Sequence, residues 1–165
     1  MGDSLVGVED WNWRLAGDVQ DYAWDCSAAS TAWALRTVGL DYSEQDVITG
    51  LGPTRISPEY GLLDATGAGL VAWLGEIGVT AANDGASSWD EVQAGAGHQP
   101  MVIGGRAWCH WVAVRMGSLT AGRDSLDALW LMNPAPGWMG VDQYLGSSDF
   151  ARLGSFSAVW FLSWP

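Results

Sequence analysis

The reactive side chains of this sequence are few, and they fall at the ends of elements. Cys26 stands at the predicted first turn of a helix, His110 opens a predicted strand, and Asn133 ends the next one. A helix N-terminus offers unpaired backbone N–H groups and a positive partial charge, both of which favour a thiolate. A neighbouring imidazole lowers the thiol pKa further and serves as base, then as acid. The imidazole in turn needs a partner that fixes its tautomer, and Asn133 on an adjacent strand is the candidate. Gln20 precedes the cysteine in Gln20-Asp21-Tyr22-Ala23-Trp24-Asp25-Cys26. Its amide, with the Cys26 backbone N–H, is the expected oxyanion donor for a tetrahedral intermediate.

Such groups must be held by elements, and the two halves of the chain supply different ones. In the first half Ala28, Ala32 and Leu35 recur at helical spacing, which predicts a helix from about Cys26 to Val38 with Asp25 as N-cap. Ser43 opens a second helix, with Asp46 in its first turn. Ser57-Pro58 reads as a helix start, and a longer helical segment is expected from about Ala65 to Ile77. Ser88 and Glu91 have capping-box spacing and open one more. In the second half Met101–Ile103 form a short apolar strand ended by Gly104-Gly105. His110, Val112 and Val114 alternate on one face of another strand, and Leu129, Leu131 and Asn133 on a third. Phe156 to Leu162 is a fourth, closing the sheet. Helices first and strands after, without regular alternation, predict an α+β fold and argue against a doubly wound parallel sheet.

Length and composition fit one domain over residues 1–165. The chain is 48% hydrophobic and 16% charged, enough to bury a sizeable core. All 7 basic residues are Arg, and 19 Asp and Glu bring the net charge to −12. That acidity repels phosphate backbones and anionic lipid heads, so neither nucleic acid nor a membrane is an expected partner. No apolar run is long enough to span a bilayer and no signal peptide is recognised. A soluble chain is expected, with its compartment unknown. No cofactor is implied. His98, Cys109 and His110 lack metal-ligand spacing, so no metal is expected.

Each reactive residue also has a plainer reading. A cysteine on an Ala-rich helix is usually a small hydrophobe; Gln20 ahead of Cys26 and a late strand histidine tip the balance towards chemistry. Cys109 precedes His110 and is expected on the opposite strand face as a structural thiol. A Cys26–Cys109 disulfide remains the less favoured alternative. Most of the 12 Trp belong to the core. Trp111, Trp138 and Trp24 lie nearest the reactive residues and are the candidates for a substrate groove.

Gln-x5-Cys opening a helix, a late His110-Trp111-Val112 strand and Asn133-Pro134 ending the next one resemble the papain-like cysteine peptidases, in their C39-like branch. The resemblance runs from Gln20 to about Gly140. It implies a papain-like α+β fold, with a helical N-terminal half carrying the Cys helix, packed on a C-terminal antiparallel sheet. It implies cleavage of a peptide or isopeptide bond through a thioester, with Cys26 as nucleophile, His110 as acid and base, Asn133 as orienting group and Gln20 as oxyanion donor. Ser27 stands where the branch usually has Gly, and Asn133 where Asp is more common. The stretch from Cys26 to His110 is shorter than the roughly 130–150 residues of papain itself. Two alternatives stay open: an inactive peptide-binding module of the same fold, and an acyltransferase using the same triad. The expected partner is a peptide or protein substrate, with leader peptides and cell-wall peptides among the candidates.

Overall fold

The computed structural model describes residues 19–96, 99–105, 109–114, 128–135, 140–146 and 156–165. Its first half is helical. α1 spans Cys26–Thr37 and α2 Glu44–Leu51. A small hairpin follows, β1 at Ile56–Ser57 and β2 at Gly61–Leu62, then α3 at Ala68–Glu76. β3 covers Thr80–Ser87 and α4 Trp89–Ala96. The remaining strands are β4 Met101–Gly105, β5 His110–Val114, β6 Ala128–Asn133, β7 Gly140–Gly146 and β8 Phe156–Ser163. Six strands form one antiparallel sheet in the order β3-β8-β4-β5-β6-β7.

α1 is the centre of the helical half. Every residue from Cys26 to Leu35 is buried, so the helix has no solvent face and runs between layers. Its small residues let it lie close on β5, where Ser30 Oγ donates to the Trp111 carbonyl at 3.1 Å. The sheet buries both sides by simple alternation. Val102, Trp111, Ala113, Met132, Val159 and Phe161 face the α1 side, where Trp33, Leu35, Leu70 and Leu74 meet them. Met101, Ile103, Val112, Val114, Leu131, Phe156 and Ala158 form the opposite core with Val92 and Ala96 of α4. Gly104 is needed for this packing, since a Cβ there would stand 2.3 Å from the Trp111 ring.

The α+β architecture agrees with the sequence expectation, and several local features differ. Ser57-Pro58 starts no helix. Pro58-Glu59-Tyr60 connects the two short strands of the hairpin, Ser57 Oγ accepts from the Tyr60 N–H at 3.3 Å, and Gly61 takes φ +68°. α3 begins at Ala68 rather than Ala65, because Asp64 ties the preceding turn through the Thr66 N–H at 2.9 Å and Gly67 adopts φ +83°. β3 went unpredicted: Thr-Ala-Ala-Asn-Asp-Gly-Ala-Ser has no alternation, and it forms as an edge strand because β8 offers a ladder. The C-terminal strand does not close the sheet either; β8 lies between β3 and β4. Asp25 occupies the N-cap position of α1 without capping it. Both its carboxylate oxygens accept from the Tyr22 N–H, at 3.2 Å each, instead of from the helix. Ser43 and Ser88 form the expected capping boxes with Asp46 and Glu91. Among the described residues, no helix is long and apolar enough to cross a membrane.

Candidate active site

The site is assembled where the start of α1 meets the sheet. Antiparallel pairing sets Ala113 opposite Met132 and Val114 opposite Leu131, which brings the start of β5 beside the end of β6. There His110 Nε2 and Asn133 Oδ1 are 2.7 Å apart. The same Oδ1 accepts from the Ala135 N–H at 3.0 Å. A backbone N–H can only donate, so the Asn133 side chain must present its oxygen here. His110 Nε2 must therefore be the protonated nitrogen, and Nδ1 keeps its lone pair.

Cys26 and His110 line one cleft of about 300 Å³, with Trp24 and Trp111 in its wall and Glu59, Tyr60 and Leu62 contributed by the hairpin. Cys26 is 7% exposed, at the first position of α1. Burial pushes its thiol above the ordinary value, and the Asp25 charge adds to this. The backbone N–H groups of Trp111, Ser27 and Cys26 itself act the other way. Burial also pushes the His110 imidazole down, against the opposing bond to Asn133. Both shifts favour neutral partners at rest. The chemistry this suits is proton transfer from thiol to imidazole as the thiol attacks, more than a standing ion pair.

The remaining candidates differ in how they are placed. Gln20 is buried, and its backbone N–H donates to the Pro134 carbonyl at 3.0 Å, which ties the loop before Cys26 to the end of β6. Its side-chain Nε2 donates to the Tyr22 carbonyl, while Oε1 is buried without a hydrogen-bond partner. Gln20 is absent from the cleft lining. Trp111 is 8% exposed and belongs chiefly to the α1-side core, touching the cleft with what remains. Trp24 is half-buried and stacks on Tyr22 with ring centroids 5.5 Å apart. Trp138 and His98 lie outside the described residues.

Three parts of the site were not anticipated. Cys109, expected on the opposite strand face, precedes the strand in a turn, is exposed, has φ +47° and lines the same cleft as Cys26. Neither cysteine forms a disulfide. The hairpin wall replaced an expected helix. Gly61 is its only sequence signal, because a Cβ there would lie 2.7 Å from the Trp24 carbonyl oxygen. Finally, Asp25 and Glu44 are 0% and 5% exposed and in hydrogen-bonding contact. Burial first, then the bond to Asp25, pushes Glu44 up to about 8, against the pull of the Asp21 N–H.

The arrangement has counterparts among solved structures. A double-glycine-motif protease from an AMS/PCAT transporter, crystallised with its leader peptide, superposes with TM-score 0.59 at 18% identity, covering 86% of each chain. The chain has the fold of C39-like peptidase domains. The peptidase domain of Streptococcus ComA, a bifunctional ABC transporter of a quorum-sensing pathway, gives TM-score 0.58 at 16% identity over 86% of this chain and 93% of its own. No protein-family model and no curated protein matches the sequence. At these identities the likeness carries the papain-like, C39-like fold: a helical N-terminal half on a C-terminal antiparallel sheet.

Proposed function

We propose that this C39-like domain is a cysteine peptidase or amidase acting on a peptide substrate. The observation that carries the reading is the His110–Asn133 pair at 2.7 Å, with Nδ1 left as the base, opening on the cleft that also holds Cys26. His110 Nδ1 takes the Cys26 proton as sulfur attacks the scissile carbonyl. The Cys26 backbone N–H receives the oxyanion, joined by the Gln20 amide once its side chain turns from the Tyr22 carbonyl into the cleft. The His110 imidazolium then protonates the leaving amine, and water releases the acyl group from sulfur. A peptide substrate agrees with the leader peptide bound to the AMS/PCAT protease, and the acidic chain favours basic or neutral peptides.

The test is cleavage of a panel holding leader-type peptides, basic peptides and cell-wall crosslinks, with amine acceptors added to a parallel set. Cys26→Ala and His110→Ala are expected to lower turnover by at least about 10³-fold. Normal turnover in Cys26→Ala rules the mechanism out. Transfer products with added amines would move the assignment to acyl transfer. The raised Cys26 thiol favours a second reading, a peptide-binding module of the same fold with a silent cysteine. It predicts peptide binding, no turnover, and no change in Cys26 alkylation on His110→Ala.

A further inference from the structure

One buried carboxyl group adjoins the nucleophile and a second contacts the first, and the mechanism above uses neither. Asp25 adjoins Cys26, and Glu44 reaches Asp25 from the first position of α2. Their oxygens are already engaged. Asp25 accepts from the Tyr22 N–H, and Glu44 Oε1 accepts from the Asp21 N–H at 3.1 Å. Oxygens that accept backbone N–H groups are turned towards donors, unlike those of a cation cage. Among the described residues, no group of three potential ligands is arranged for a metal. Nor does any ion pair reach Asp21, Asp25 or Glu44 among them. Two buried carboxyl groups in contact, with no cation to offset them, cannot both be ionised cheaply, in keeping with the upward push on Glu44.

The backbone bonds show what the pair holds. Asp21 and Tyr22 are consecutive residues of the loop from Gln20 to Asp25, and both their N–H groups end on this pair. The other end of the loop is fixed by the Gln20 N–H on Pro134. The loop carries Gln20 and delivers Cys26 to the start of α1.

We propose that Glu44 is a positioning residue of the candidate active site: its protonated carboxyl, bonded to Asp25, clamps the Gln20–Asp25 loop, and loss of that proton loosens the clamp and sets a second negative charge beside that of Asp25. The consequence for catalysis rests on the cysteine-peptidase reading; the clamp itself does not. The charged groups facing Glu44 are Asp25 and Asp21, and Asp25 in turn faces Cys26. All are acidic or become anionic, so each extra charge in the group opposes the thiolate. Glu44→Gln is the informative variant. Its Nε2 can donate to Asp25 and its Oε1 accept from Asp21, and it has no proton to lose.

The experiment follows the Glu side-chain carboxyl carbons by NMR against pH, with Glu44 assigned by the signal lost in Glu44→Gln. The expected midpoint for Glu44 is about 8, and Asp25→Asn lowers it. A midpoint in the ordinary range of about 4–5 overturns the proposal without needing a variant that folds differently. In parallel, Cys26 alkylation by iodoacetamide is measured from pH 5 to 10. Above the Glu44 midpoint, Glu44→Gln is expected to label about 3–10-fold faster than wild type, the two converging below it. Superimposable profiles would reduce Glu44 to a space-filling role and overturn the proposal. If a cleaved peptide is found, Glu44→Gln carries the alkaline limb of kcat/KM to higher pH. Titration and alkylation need no substrate, so a chain that cleaves nothing defeats the peptidase reading and leaves the clamp standing.

Discussion

The two halves of the candidate site are held by different physics. His110 and Asn133 sit on paired strands, and the ladder between β5 and β6 sets their separation before any side chain chooses a rotamer. The Ala135 N–H then fixes the asparagine oxygen, and with it the imidazole tautomer. Nothing in that half depends on a carboxyl proton. Cys26 and Gln20 instead sit at the end of a loop fastened at three backbone N–H groups, two of which end on a carboxyl pair. One half is rigid by register, and the other is conditional on protonation. A site built this way fails differently at its two edges of pH.

The largest effect that probes this contrast is on the strand side. Asn133→Ala removes the partner of His110 Nε2 and frees the ring to turn and change tautomer. Turnover of any peptide cleaved by the wild type is expected to fall about 10²-fold, less than for His110→Ala. Steady-state kinetics on the two variants decide it, and equal losses would mean that Asn133 does more than orient the ring.

Next comes a change that moves the strand half without touching a reacting group. Gly104→Ala places a Cβ within 2.3 Å of the Trp111 ring. Overpacking of that kind costs about 1–3 kcal/mol, to be read from urea unfolding. If stability is unchanged, the ring has somewhere to go and β5 is less fixed than the contrast requires.

The smallest effects are on stability against pH, with opposite signs for the two halves. His110 is pushed down in the folded chain. As pH falls below about 6.5, the unfolded chain takes up that proton first, so stability present above this value is lost as pH falls through the folded one. Glu44 is pushed up, to about 8. Its contribution is complete below the ordinary carboxyl range and is lost as pH rises through about 8. Thermal unfolding across pH 4–9 should therefore lose its acid-side decline in His110→Ala and its alkaline-side decline in Glu44→Gln. Interchanged assignments would refute the division.

Much of the fold was legible because its signals are local. Ser43 with Asp46 and Ser88 with Glu91 are capping boxes that work within one turn, and both formed. Apolar alternation marked β5 and β6, whose side chains had two cores to fill. The errors came where a neighbour outranked the local pattern. Pro58 satisfies the first turn of a helix and a tight connection equally well, and Gly61 against Trp24 decided for the hairpin. β3 is polar and irregular, and it exists through its pairing with β8. Cys109 was assigned a strand face by parity, but it sits in the turn where parity has no meaning.

By itself, the sequence determined the types of reactive group, their order along the chain and the elements that carry Cys26, His110 and Asn133, because caps and alternation act over a few residues. The tertiary structure alone decided which nitrogen of His110 faces Asn133, that Cys109 and the hairpin share the cleft, and that Glu44 meets the loop before Cys26. Each of these is a contact between segments distant in sequence. Their energies arise from burial and from backbone groups needing partners, and neither exists until the chain has folded around them.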